Sequence, residues 1–153
     1  GQEYEANQFA TELLMPRDAF VSFTQGKNFS PDLLRNIADH FKTSITSATF
    51  RYLELGQHPI FLFHCRNKKV IYWKKSDNYY RKVKDITRLH PPTDSVAMEF
   101  FDHGTIYSKD ESAQVILKST WFETDEYDSN DECFEYAIVT KDYNTVLSVV
   151  WEK

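Results

Sequence analysis

With 153 residues, the chain is long enough for one good core or two small ones, and 12 Phe, 9 Tyr and 3 Trp supply ample material for it. A formal net charge of -5 and a pI near 5.5 argue against general nucleic-acid binding, because a phosphate backbone demands a basic face. The apolar runs last only a few residues, far short of the ~20 that a membrane-spanning helix requires.

The first predicted element runs from Glu3 to Pro16. Ala6, Phe9, Ala10, Leu13 and Leu14 recur at helical spacing and Pro16 ends the run, which predicts an amphipathic helix with one buried face. Glu3 lies one turn before Asn7 on the same side of that helix. The pattern E-x-E-A-N-x-F-A-x-x-L-L-M-P resembles the second metal-site helix of the ImmA/IrrE family of zinc metallopeptidases. In that family an H-E-x-x-H helix comes first, with two histidine ligands and a general-base glutamate, and the second helix adds a carboxylate. The resemblance implies that Glu3 is a zinc ligand and that Asn7 orients a ligand from behind.

The chain departs from the family at one point. No H-E-x-x-H occurs, and no two of His40, His58, His64, His90 and His103 have the spacing that motif needs. The chain opens with Gly1-Gln2, as a product of tag cleavage would. The expectation is a C-terminal portion of a longer protein, cut just after its catalytic helix. It would be inactive by itself, with zinc held only in the full-length parent. An ordinary first helix carrying two solvated glutamates is the alternative.

A second helix is predicted from Arg17 to about Thr24, with Ala19, Phe20 and Phe23 as its apolar stripe, followed by a turn through Gln25 to Asn28. Ser30-Pro31-Asp32 is a helix start, with Ser30 as cap and Pro31 at the first position. Leu33, Leu34, Ile37, Ala38 and Phe41 give that helix a buried face. Thr43-Ser44 restarts the chain as a helix from about Ile45 to Leu55, which Gly56 ends. Two helices joined by a short turn have the outline of a helix-turn-helix, and a similar segment follows the peptidase part in ImmA/IrrE proteins. The second helix is expected to turn Ser47, Thr49 and Arg51 outward beside Glu54. One arginine cannot both anchor phosphates and read bases, so structural packing is expected and nucleic acid is not.

From Ile60 the period changes to that of strands. Ile60 to Cys65 and Lys69 to Lys74 form a predicted hairpin around Arg66-Asn67-Lys68, and Tyr79 to Val83 is expected to be extended. Thr93 or Asp94 should cap a helix bearing Val96, Ala97, Phe100 and Phe101, which Gly104 closes. Strands are predicted at 114–122, 133–140 and 145–151, the last two joined through Lys141 to Asn144. An antiparallel sheet with helices on one face is the outline shared by GAF and PAS sensor domains, and a GAF-like C-terminal domain is what the family resemblance implies.

Basic residues dominate from Arg66 to Arg88 and acids from Asp110 to Glu135. These blocks predict solvated faces or mutual attraction, or else a polar docking surface through the acidic loop Glu123 to Glu132. That loop lacks the glycine and the last glutamate of an EF-hand. Tyr72, Trp73, Tyr79, Tyr80, Trp121 and Trp151 could line a small-molecule cavity, but alternating strand aromatics more commonly form plain core. His64 and Cys65 fall on opposite strand faces and cannot cooperate, and Cys65 and Cys133 lack metal spacing, which predicts two free thiols in a cytoplasmic protein.

The expected class is thus α+β, in three parts. Residues 1–24 would be the terminal helices of a truncated metallopeptidase domain, 25–58 a helix-turn-helix-like segment, and 59–153 a GAF/PAS-like sensor or docking domain. The expected function is the regulatory and substrate-recognition portion of a zinc endopeptidase that cleaves repressor-type transcription regulators in mobile-element or stress responses. The alternative is a non-catalytic sensor or protein-interaction module. A homodimer through Phe9, Leu13 and Leu14 is expected if truncation bares that face.

Overall fold

The computed structural model describes residues 10–153. The chain divides into two compact units, with the boundary between His58 and Pro59. None of the helices among the described residues is long and apolar enough to cross a membrane.

In the first unit, residues 10–14 are helical and the Met15 N–H closes the turn on the Thr11 carbonyl at 2.8 Å. Helix α1 (Arg17–Thr24) begins after Pro16, whose ring suits a helix entrance. Helix α2 (Pro31–Phe41) starts where the residue types dictate: the Ser30 hydroxyl accepts the Leu33 N–H at 3.1 Å, and Pro31 occupies a position that needs no donor. It ends at Lys42 in the left-handed region, and Ser44 then caps helix α3 (Ile45–Leu55) by accepting the Ser47 N–H at 3.0 Å. Phe20, Leu33, Leu34, Ile37, Ala48 and Tyr52 are buried. Phe23 stacks on the His40 ring at 4.2 Å.

Two expectations for this unit are corrected. Leu13 and Leu14, assigned to a buried face, are 66% and 51% exposed, and Ala19 is exposed as well. Helical spacing marks a face fit to be covered; it does not supply the cover. Thr49 and Arg51, expected to point outward, are both buried. The Arg51 Nε donates to the Met15 carbonyl at 3.0 Å and its Nη1 lies 3.5 Å from Glu54, so the guanidinium holds the chain where the first helical run ends.

The second unit is a mixed α+β fold built on a five-stranded antiparallel sheet in the order β2-β1-β5-β4-β3. Strands β1 (Phe61–Arg66) and β2 (Lys69–Lys75) are joined by Asn67 and Lys68, both at positive φ, which is the geometry of a two-residue hairpin loop. A register shift between His64 and Cys65 leaves Ile71 as a bulge. Helix α4 (Val96–His103) follows, then β3 (Gln114–Leu117), a helical turn α5 (Lys118–Trp121), β4 (Glu132–Thr140) and β5 (Thr145–Trp151). Phe61, Phe63, Cys65, Val146, Val150, Cys133 and Ile116 line one sheet face, and Val96 and Ala97 of α4 pack into the same core.

Two boundaries differ from the sequence expectation. The predicted strand over 114–122 stops at Leu117, and Lys118–Trp121 coil into a helical turn. Strict alternation would put Trp121 on the same face as exposed Val115 and Leu117; the turn swings both Trp121 and Phe122 into the core instead. The α4 cap is Ser95 rather than Thr93 or Asp94: the Ser95 hydroxyl accepts the Met98 N–H at 3.1 Å, while the Asp94 carboxylate is engaged by the Thr120 hydroxyl at 2.8 Å. The segment from Tyr79 to Val83 joins no strand, and its only ladder contact is the bridge between Val83 and Phe122.

Candidate functional site

Glu3 and Asn7 lie outside the described residues. Among the described residues no three His, Cys, Asp or Glu side chains converge as metal ligands do. Within the acidic loop the Asp125 carboxylate accepts the Tyr127 and Asp128 N–H groups, and the Asp128 carboxylate accepts the Asp125 N–H.

The six aromatics have unlike surroundings. Trp121 stacks on Phe63 at 4.0 Å, and Tyr79 meets Phe61 edge-on at 4.6 Å. Tyr80 is 88% exposed, while Tyr72 and Trp73 are half-exposed on β2. Cys65 and Cys133 are free and buried. Burial, reinforced by the carboxylate of Glu135, pushes the Cys65 thiol well up; burial and the nearby Glu152 and Glu135 carboxylates push Cys133 up to about 12. Thiols held protonated in this way are poor nucleophiles.

The most organised polar cluster in the second unit centres on Glu135, which the sequence reading passed over. This carboxyl is wholly buried on the core face of β4. Four donors converge on it. The Val96 and Ala97 N–H groups reach its two oxygens at 3.0 and 2.9 Å, the Trp121 Nε1–H donates at 3.0 Å, and the Ser148 hydroxyl of β5 donates as well. Val96 and Ala97 are the first residues of α4, so the carboxyl sits where the helix exposes unpaired N–H groups and the positive end of its dipole. Loss of solvent pushes the Glu135 pKa up, and the donors from Ser148, Trp121, Val96 and Ala97 pull back against that rise. A signal was present in the sequence: Cys133, Glu135, Ala137 and Val139 alternate on one face, and an acid at an inward position demands partners. Chemically, the cluster clamps α4 and α5 to the sheet. Its oxygens face protein donors.

A second cluster lies where the charge blocks meet. The Arg81 guanidinium binds Asp128 and reaches Glu152 at 3.3 Å, the Lys118 Nζ lies 2.7 Å from Glu152, and Lys82 pairs with Glu123 at 3.3 Å. The attraction expected between the two blocks is therefore realised between residues 81–82 and the acidic loop. Hydrogen bonds from Arg81, then from the Asp125 backbone, hold the Asp128 carboxyl below its ordinary range. Burial works against ionisation of Glu152, but bonds from Lys118 and Arg81 hold it low too. Tyr79 is buried beside this cluster, and burial followed by the Glu152 charge pushes its pKa far up.

Comparison with protein-family models and with curated proteins returns no match.

Proposed function

We propose that this chain is the regulatory and substrate-recognition portion of an ImmA/IrrE-type zinc endopeptidase that cleaves repressor-type transcription regulators. The observation that carries the reading is the run from Glu3 to Pro16, whose residue types match that family's second metal-site helix. Two structural features agree with it. Residues 10–14 of the run are helical, and Arg51 of α3 binds the carbonyl of Met15 at its end. The helix pair α2–α3 would then act as a helix-turn-helix-like spacer, and the sheet unit as a GAF/PAS-like sensor or docking domain. Zinc would be held by Glu3 together with two histidines of a preceding helix.

The test is to read the coding sequence upstream of Gly1 and express the longer product. An in-frame H-E-x-x-H within ~40 codons should yield a protein that retains zinc through dialysis. In that protein Glu3→Ala should release the metal and abolish cleavage. Any other upstream sequence sinks the peptidase reading.

A second reading is a non-catalytic protein-interaction module in the cytoplasm. The stacking of Trp121 on Phe63 within the core is the observation that favours it.

A further inference from the structure

At the outer edge of β2, strand geometry, exposed apolar surface and unmatched charge coincide. β2 is the last strand on its side of the sheet, so one side of its backbone faces no strand. The chain already uses the start of this edge. The Val70 N–H donates to the Leu89 carbonyl at 2.9 Å, and the Arg88 N–H donates to the Val70 carbonyl at 2.7 Å. That short pairing shows that the edge is presented in ladder geometry and leaves the length from Ile71 to Lys75 beyond it. Ile71, Tyr72 and Trp73 are exposed there, and the Trp73 ring lies against the buried Phe61 at 5.7 Å, at the rim of the core.

Charge selects the partner. The chain's acidic loop answers Arg81 and Lys82, and Lys68 is met by Asp102 at 2.8 Å. Arg66, Lys69 and Lys75, which flank the exposed stretch, enter no ion pair among the described residues. By the register, Trp73 and Lys75 share the face of Phe61 and Phe63, while Arg66 and Lys69 lie on the opposite face. A strand that added here would therefore place alternate side chains toward Trp73 and Lys75 and the others toward Arg66 and Lys69.

We propose that the outer edge of β2, from Ile71 to Lys75, binds an extended acidic peptide segment of a partner protein by strand addition, with apolar residues alternating with Asp or Glu. Backbone hydrogen bonds supply the register, Trp73 and Ile71 the apolar contact, and Arg66, Lys69 and Lys75 the preference for acidic side chains. The site is independent of zinc chemistry and stands under either functional reading.

The assay is fluorescence anisotropy with the full chain at physiological salt, using a short labelled peptide of alternating Glu and Val. Two control peptides go with it: one with Lys in place of Glu, and a fully N-methylated form that keeps the charges but removes every ladder donor. The acidic peptide should bind at least about tenfold more tightly than either control. The double variant Lys69→Glu/Lys75→Glu, with an unchanged circular-dichroism melt, should lose about tenfold or more. Equal binding of the N-methylated form would overturn the proposal in favour of a diffuse cationic patch. No binding of the acidic peptide would mean that the lysines serve only to prevent edge-to-edge association of copies. Tighter binding of an oligo(dT) probe than of the acidic peptide would reassign the surface to single-stranded nucleic acid.

Discussion

Glu135 concentrates more unsatisfiable chemistry than any other described side chain. If its carboxyl is removed, two backbone N–H groups, an indole N–H and a hydroxyl are left in a dry interior. Glu135→Ala should therefore cost about 3–5 kcal/mol, read from urea unfolding curves. The pH dependence has a definite sign. A carboxyl whose pKa is raised on folding holds its proton more firmly in the folded state than in the unfolded one. Its contribution is then most favourable below the unfolded value of ~4.3 and declines as the pH climbs from there to the folded value. Relative to Glu135→Gln, the wild-type chain should lose stability over that climb; a flat difference would show that the four donors cancel desolvation, and a rising one that they outweigh it. Arg51 is the corresponding residue in the first unit. Arg51→Ala leaves the Met15 carbonyl without its donor and should cost about 1–3 kcal/mol in a thermal or urea melt.

At the level of elements, two glycines end helices for unrelated reasons. Gly104 terminates α4 at φ 70 with open space where a side chain would go, so Gly104→Ala should cost only the conformational penalty, about 1 kcal/mol. Gly56 terminates α3 at an ordinary φ of -70, but a Cβ there would lie 2.4 Å from a ring carbon of Tyr52. Tyr52 is buried, and its hydroxyl accepts the His58 N–H at 3.3 Å, so the ring has little room to retreat. Gly56→Ala should cost about 1–3 kcal/mol by overpacking. Pairing it with Tyr52→Leu should recover part of the loss in the same melt, whereas no truncation at Tyr52 will rescue Gly104→Ala.

For the molecule as a whole, the opposed charge blocks make acid the natural denaturant. Asp128 and Glu152 have depressed folded pKa values, so their contribution is present above the unfolded carboxylate range of ~4 and is lost as pH falls through the folded values. The melting temperature should fall between neutral pH and pH ~3 in the wild type and fall less in Arg81→Met, where Asp128 has lost its cation and Glu152 keeps only Lys118. Local chemistry was what the sequence made legible. The Ser30-Pro31 start, the Asn67-Lys68 hairpin and the strand over 145–151 each depend on residues close in sequence. What stayed hidden depends on distant partners. The turn at Lys118–Trp121 exists because the core takes Trp121, the burial of Arg51 follows from a carbonyl far earlier in the chain, and Glu135 acquires meaning only once α4 is brought to it. The metal-helix motif rests on residues 3–7, outside the described part, so the candidate ligand was legible as residue types alone.

The Glu135 clamp also has a consequence in time. Its partners lie 13, 14, 38 and 39 residues away along the chain, on a neighbouring strand, a helical turn and a helix start. All four can be engaged only after those pieces have docked, which places the clamp late on the folding route and makes it an early casualty of escape. Weakening it should speed unfolding far more than it slows folding. The acid buried under α4 would thus act chiefly as a latch that sets how long each folded molecule lasts before it first opens.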